Sequence, residues 1–366
     1  MKKVLILLLT LVMVFSMSAV AFAEGGTPER ATTYGLGDAK MTKDLTVADG
    51  IDISAVKTFT FSFTFDADHS VGYDATADES KLPTIAAQTI EVGTQEDGHA
   101  YGNKALSAIF TDANAFPHAG VYAYKVKETT KAINTTENGI TKTLTVDATE
   151  YIVRLYVTNG TDGLVFSGVT VEQAGTKVVP TIKEGEKTSG FNFENKYKEV
   201  IEEDENGVLT ITKTITGDYA DMTKTFPVSV TLTIPSTASE SDVQVAQGAT
   251  LNGLTATADL TNNGTIKFTK LPAGTTFKVS ETQDAAYKSK ITGFVKTEDS
   301  AYVEGNRTDV EGKEPITASG KTVTIENNRE DVIPTGVIIH NLPYLMLVLV
   351  AVLGLAYLAL KRRACK

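Results

Sequence analysis

Apolar and polar residues alternate along most of this chain. In "VLTITKTITGD", which begins at Val208, Leu209, Ile211, Lys213 and Ile215 fall on one side and Thr210, Thr212, Thr214 and Thr216 on the other, because successive side chains of a strand point to opposite faces. The same period runs through "KTFTFSFTF", with Phe59, Phe61, Phe63 and Phe65 in step, and through "GVYAYKVKE", "EYIVRLYV", "FPVSVTLTI", "TTFKVSE" and "KTVTIEN". Many short alternating segments between turn residues predict an all-β protein of β-sandwiches. One residue breaks the pattern. The threonine face is the wet one, so Lys213 sits in an apolar row, where an unpaired ammonium costs several kcal/mol or gives up its proton.

The strands gather into two blocks that read as diverged copies. Residues 39–198 form the first and 208–329 the second, joined by the acidic stretch "EVIEEDENG" at 199–207, which reads as a linker or turn. Each block opens on a lysine-bearing strand, "MTKDLTV" and "LTITKTI". Each has a middle segment with Pro, Gly, an aromatic and Val before Glu, "FPHAGVYAYKVKE" and "LPAGTTFKVSE". Each closes on an apolar-x-Asn strand, "FNFEN" and "VTIEN". The same three marks in the same order make an internal repeat.

Alternation assigns a face to each of the six polar residues in these marks. Lys43 lines up with Met41, Leu45 and Val47, Glu128 with Tyr122, Tyr124 and Val126, and Asn195 with Phe191 and Phe193. In the second block Lys213, Glu281 and Asn327 fall in line with Ile211, Val279 and Ile325. All six take the apolar side. Burial lowers the pKa of a lysine and favours its neutral, nucleophilic amine; it raises that of a glutamate, which then stays protonated and can donate. A neutral amine facing a carboxamide, with an un-ionised acid polarising the carbonyl and shuttling protons, is set up for acyl transfer. Folding holds the groups in contact, and effective molarities for such arrangements reach about 10⁵–10⁸ M. The expected product is an amide between first and last strand, made once per block with loss of ammonia, so no turnover enzyme is expected. A buried Lys–Glu ion pair with a hydrogen-bonded Asn is the plainer account of either block alone; its repetition in both favours the reaction.

Composition removes competing functions. The net charge is −11 and Lys/Arg clusters occur only at the extreme ends, which argues against nucleic-acid binding. The single cysteine, Cys365, lies beyond the last apolar segment, so disulfides cannot brace the body and an internal Cys–Gln thioester is excluded. His69, His99, His118 and His340 have no metal-ligand spacing, and neither metal nor cofactor is expected. The stretch Asp66 to Asp74 lacks a regular acidic ladder for calcium and reads as a polar turn. No G-x-S-x-G, H-E-x-x-H or P-loop occurs.

The ends carry addresses. Met1, Lys2 and Lys3 precede an apolar run closing on Ala21-Phe22-Ala23, which predicts a signal peptide over 1–23 and a Gly/Thr-rich lead-in over 24–38. Near the other end, residues 330–366 combine "VIPTG", an apolar run from Leu345 to Leu360 long enough with its flank to span a bilayer, and the basic Lys361, Arg362 and Arg363.

The whole closely resembles the two-domain major pilins of Gram-positive bacteria. The residues that carry the likeness are "LTITKTITGDYADMTKTF", "LPAGTTFKVSET", "GVYAYKVKET" and the "IPTG" before the membrane segment. The resemblance implies two tandem immunoglobulin-like (CnaB-type) sandwiches with autocatalytic isopeptide bonds, Lys43 to Asn195 under Glu128 and Lys213 to Asn327 under Glu281. The neighbours Asn328, Asn192 and Lys40 are rivals that alternation disfavours. It also implies a sortase signal, Val332, Ile333, Pro334, Thr335 and Gly336, cut between Thr335 and Gly336. The departure from an opening Leu-Pro suggests a dedicated pilin-polymerising sortase. The lysine acceptor of the next subunit falls by the same likeness at Lys187, with Lys183 second. The implied partners are that sortase, identical subunits, tip and basal pilins and a host surface ligand, with the membrane engaged only transiently. The implied place is a pilus covalently anchored to the cell wall. A wall-anchored adhesin, or a minor or basal pilin using the domains as a stalk, is the alternative.

Overall fold

The structure, a computed structural model, describes residues 33–203, 207–293, 309–330, 346–353 and 355. The signal peptide and the VIPTG motif lie outside the described residues. Within the C-terminal apolar run, residues 346–353 are helical; no helix among the described residues is long and apolar enough to cross a membrane. Apart from this stretch and a few single turns, the regular structure described is strand.

The chain divides into two compact units. The first runs to Thr135 and resumes over Lys142–Lys198; the second takes Thr136–Thr141 and the chain from Glu199. Both are immunoglobulin-like sandwiches. In the first, one sheet has the order Gln95–Glu96, His99–Ala105, Lys40–Thr46, Asn192–Glu202, and the other the order Thr176–Val178, Leu164–Gln173, Glu150–Asn159, Gly120–Glu128, Thr58–Val71, Gln88–Glu91. The opening strand Lys40–Thr46 lies parallel to Asn192–Glu202, with Lys43 opposite Phe193 and Leu45 opposite Asn195. Phe59, Phe61, Phe191, Phe193 and Tyr122 are almost wholly buried between the sheets. The Phe193 ring lies 4.9 Å from Phe61, tilted, and 5.0 Å from Tyr151, edge to face, the latter a geometry that aromatic quadrupoles favour.

In the second unit one sheet runs Lys288–Gly293, Lys321–Asn328, Leu209–Thr216, Thr265–Pro272, and the other Thr250–Asn252, Thr255–Leu260, Phe226–Thr233, Thr275–Glu281, Asp309–Ile316. Leu209–Thr216 alternates buried and half-buried without a break, as its threonine period requires. It too lies parallel to its unit's last strand, with Lys213 opposite Ile325 and Ile215 opposite Asn327. The offset matches the first unit: the asparagine stands two residues beyond the position facing the lysine. Gly217 ends the lysine strand with φ +101° and the Arg329 backbone pressed against it, a place a Cβ could not occupy without moving main chain.

Two expectations are corrected. Glu199 to Glu202 is not linker: the strand Asn192–Glu202 continues through it, Val200 and Ile201 are buried, and Val200–Glu202 pair with Lys270–Pro272. Two apolar side chains outweigh the acidic neighbours that suggested a turn. The stretch from Asp66 likewise extends the strand Thr58–Val71, with a register irregularity between Asp66 and Val71. His69 Nδ1 stands 2.6 Å from the buried Asp66 carboxylate.

Candidate functional site

Alternation places each lysine on the inner face of its opening strand and each asparagine on the inner face of the neighbouring last strand; the glutamate arrives from the facing sheet. Lys43, Asn195, Lys213 and Asn327 are all 0 % exposed, and the Glu128 and Glu281 side chains are 0 % and 2 % exposed. In the first unit, Lys43 Nζ donates to Glu128 Oε2 at 3.0 Å and to the Phe193 carbonyl at 3.2 Å. Asn195 Nδ2 donates to Glu128 Oε1 at 2.7 Å. One carboxylate therefore bridges amine and carboxamide. In the second unit, Lys213 Nζ lies 2.8 Å from Glu281 Oε2 and Asn327 Nδ2 donates to Glu281 Oε1 at 2.7 Å. The Lys213–Glu281 contact is a close, buried ion pair whose two atoms have no other hydrogen-bond partner.

The surroundings weaken the charge on each amine. Lys43 Nζ sits 4.7 Å from the centre of the Phe59 ring, and Lys213 Nζ 4.5 Å from that of Phe226. Loss of hydration lowers the pKa of Lys43, against the opposing pull of Glu128. Burial brings Lys213 down to about 8, again against its glutamate. Desolvation wins in both because the ammonium loses water on every side while one carboxylate restores part of its stabilisation.

The glutamate was expected to polarise the asparagine carbonyl. The contacts differ: in both units the carboxylate holds the amide nitrogen, and the carbonyl oxygen has another donor. Asn195 Oδ1 accepts from the Asp147 main-chain N–H at 2.8 Å, and Asn327 Oδ1 from Ser289 Oγ at 2.8 Å. Sequence reasoning did not single out these two donors. Ser289 was within reach of the alternation argument, since it shares the buried face of "KSKITG" with Ile291; Asp147 acts through its backbone, which leaves no trace in residue type.

The rivals fall elsewhere. Asn192 Oδ1 accepts from Thr42 Oγ1, and Asn328 Nδ2 donates to Thr216 Oγ1, both on the faces turned away from the lysines. Lys40 is half-buried. Lys187 is exposed, its amine 2.9 Å from Glu96 Oε2, and Lys183 is exposed beside Glu186. His99 pairs with Asp44 and His118 with Asp78, and no group of three or more metal-ligating side chains occurs among the described residues.

Residues 39–198 match the family described as the Spy0128-like isopeptide containing domain, and residues 207–329 match a family described only as a domain of unknown function. The chain is 26% identical over 342 residues to a pilin of Streptococcus pyogenes serotype M1, covering 87% of this chain and 91% of that protein. Among solved structures it is similar to the major pilin protein T3.2 of Streptococcus pyogenes, at 20% identity with a TM-score of 0.29 over 80% of this chain and 98% of the other. A pilus-presented adhesin, Spy0125 (Cpa), is also similar at 20% identity, with a TM-score of 0.28 over 50% of this chain and 36% of the adhesin.

Proposed function

We propose that this chain, whose residues 39–198 match the Spy0128-like isopeptide containing domain and which is similar along most of its length to a streptococcal pilin, is a structural backbone subunit of a sortase-assembled, covalently polymerised cell-surface pilus. Each domain locks itself once with a Lys–Asn amide, Lys43 to Asn195 and Lys213 to Asn327, and the chain turns over no substrate. The observation that carries this is the repetition of a buried Lys–Glu–Asn group with one register, and with one glutamate set between the amine and the carboxamide nitrogen, in both units. A structural ion pair has no need of a carboxamide on the second carboxylate oxygen, twice, at the same offset.

The geometry supports the following sequence. Glu128 or Glu281 takes a proton from the ammonium through Oε2, and the freed lone pair attacks the asparagine Cγ. The carboxyl then protonates Nδ2 through Oε1, the C–N bond breaks and ammonia leaves. Of the five nitrogen-bound protons at the start, one remains on the new amide and three on ammonia. The fifth stays with the carboxyl or leaves as ammonium. No redox partner is required. Sortase cleavage after Thr335 then joins the threonyl carbonyl to a lysine of the next subunit, Lys187 first and Lys183 second, and the finished fibre is anchored to the cell wall.

Intact mass of the folded, exported chain tests the closure. Two ammonia masses are expected to be missing, and none from the E128A/E281A double variant. A well-folded parent of unreduced mass would overturn the proposal.

The lowered amine makes a pH prediction for a chain whose second amide is blocked by Asn327→Ala. The folded Lys213 value, about 8, lies below the ordinary lysine value of 10.5, so between them the unfolded state binds more protons and stability rises with pH. Relative to K213M/N327A, the N327A variant is expected to gain about 3 kcal/mol across that window, measured by urea unfolding at successive pH values. A difference independent of pH would refute it.

A further inference from the structure

The two units hold the attacked carbonyl with different donors. In the first, the orientation of the carboxamide is forced: the Asp147 main-chain N–H can only donate, so the group 2.8 Å from it must be Oδ1, and Nδ2 must face Glu128. The donor is itself clamped. Asp147 Oδ1 accepts from the Thr149 N–H and Oδ2 from the Glu194 N–H, each at 2.8 Å, so the side chain ties its own turn to the asparagine strand and aims its backbone at Asn195. In the second unit Ser289 stands directly across from Asn327 in the antiparallel pair, almost wholly buried. Its hydroxyl has one proton. Glu281 Oε1 is 3.5 Å away and Asn327 Oδ1 2.8 Å, so the proton goes to the carboxamide oxygen.

Resting on the proposed amide closure, we propose that the Asp147 backbone N–H and the Ser289 hydroxyl are the oxyanion donors of the two reactions. The glutamates hold the attacking amine and the leaving nitrogen. When the lysine nitrogen adds to Cγ, the C=O π pair moves onto Oδ1. A fixed donor in a dry site stabilises that charge without reorganisation, and removing one such donor slows acyl transfer by about 10²–10³. A carboxylate that accepts from both nitrogens has no proton to donate to the oxyanion, and the one it takes from the amine goes on to the leaving nitrogen. Asp147 acts as a positioning residue for its own N–H, whereas Ser289 touches the reacting group.

The test is a time course of ammonia loss from the full chain made by cell-free synthesis, with each domain's cross-linked peptide followed by mass after quenching. Ser289→Thr and Ser289→Val have the same shape and differ in the hydroxyl. The Thr variant is expected to close the second domain at a rate near that of the parent, and the Val variant about 100-fold more slowly, while the first domain closes normally in the same molecules. Equal rates for Thr and Val, fast or slow, would overturn the assignment. If the parent closes neither domain, it is the amide reading that fails.

Discussion

A chain carrying Glu281→Ala is expected to emerge with its second domain unlinked and to melt far below the parent. The proposed amide between Lys213 and Asn327 would close a loop of roughly 115 residues, and the chain-entropy treatment of cross-links assigns such a loop about 5 kcal/mol. For a domain of this size that corresponds to about 15–25 °C in melting temperature. The variant suffers a second loss. Lys213 is 0 % exposed and its charge partner is gone, and leaving one half of a buried pair costs about 3–5 kcal/mol. Asn327→Ala separates the two effects, because it blocks the amide while keeping the Lys213–Glu281 pair. The expected order of melting temperatures is parent, then N327A, then E281A, measured by calorimetry on the full chain. An E281A melt within a few degrees of the parent would mean that no covalent constraint had been lost. The physical consequence in a fibre follows from the topology. First and last strands are neighbours and parallel, so a load applied at the chain ends would meet the proposed amide before the hydrogen-bonded sheet.

The other large effect concerns polymerisation. With the pilin-polymerising sortase present, Lys187→Arg is expected to abolish the ladder of high-mass species on a denaturing gel, and Lys183→Arg to leave it intact. Thr335→Ala is expected to remove both the ladder and wall attachment. Lys187 is exposed, and Glu96 raises its pKa by hydrogen bonding to the ammonium. The attacking form is the neutral amine, so Glu96→Gln is expected to speed the ladder's appearance. A ladder that survives Lys187→Arg but not Lys183→Arg would move the acceptor four residues upstream. Arrival of the unaltered chain at the wall with no ladder at all would favour the adhesin account.

What the sequence by itself determined was every property with a local period. Side-chain direction in a strand repeats every two residues whatever the strand packs against, so "LTITKTIT" and "TTFKVSE" already assigned Lys213 and Glu281 to a buried face, and the repetition of the three marks paired the blocks. Local composition misled where two apolar residues sat among acids, at Val200 and Ile201. Only the tertiary structure decided who meets whom. The parallel register that sets each asparagine two residues past its lysine, the glutamate's reach from the facing sheet, and the turn of each carboxamide toward Asp147 or Ser289 depend on groups distant in sequence. A main-chain N–H is present at every residue other than proline, so its aim at Asn195 comes from the turn that Asp147 clamps, and no residue type could have announced it.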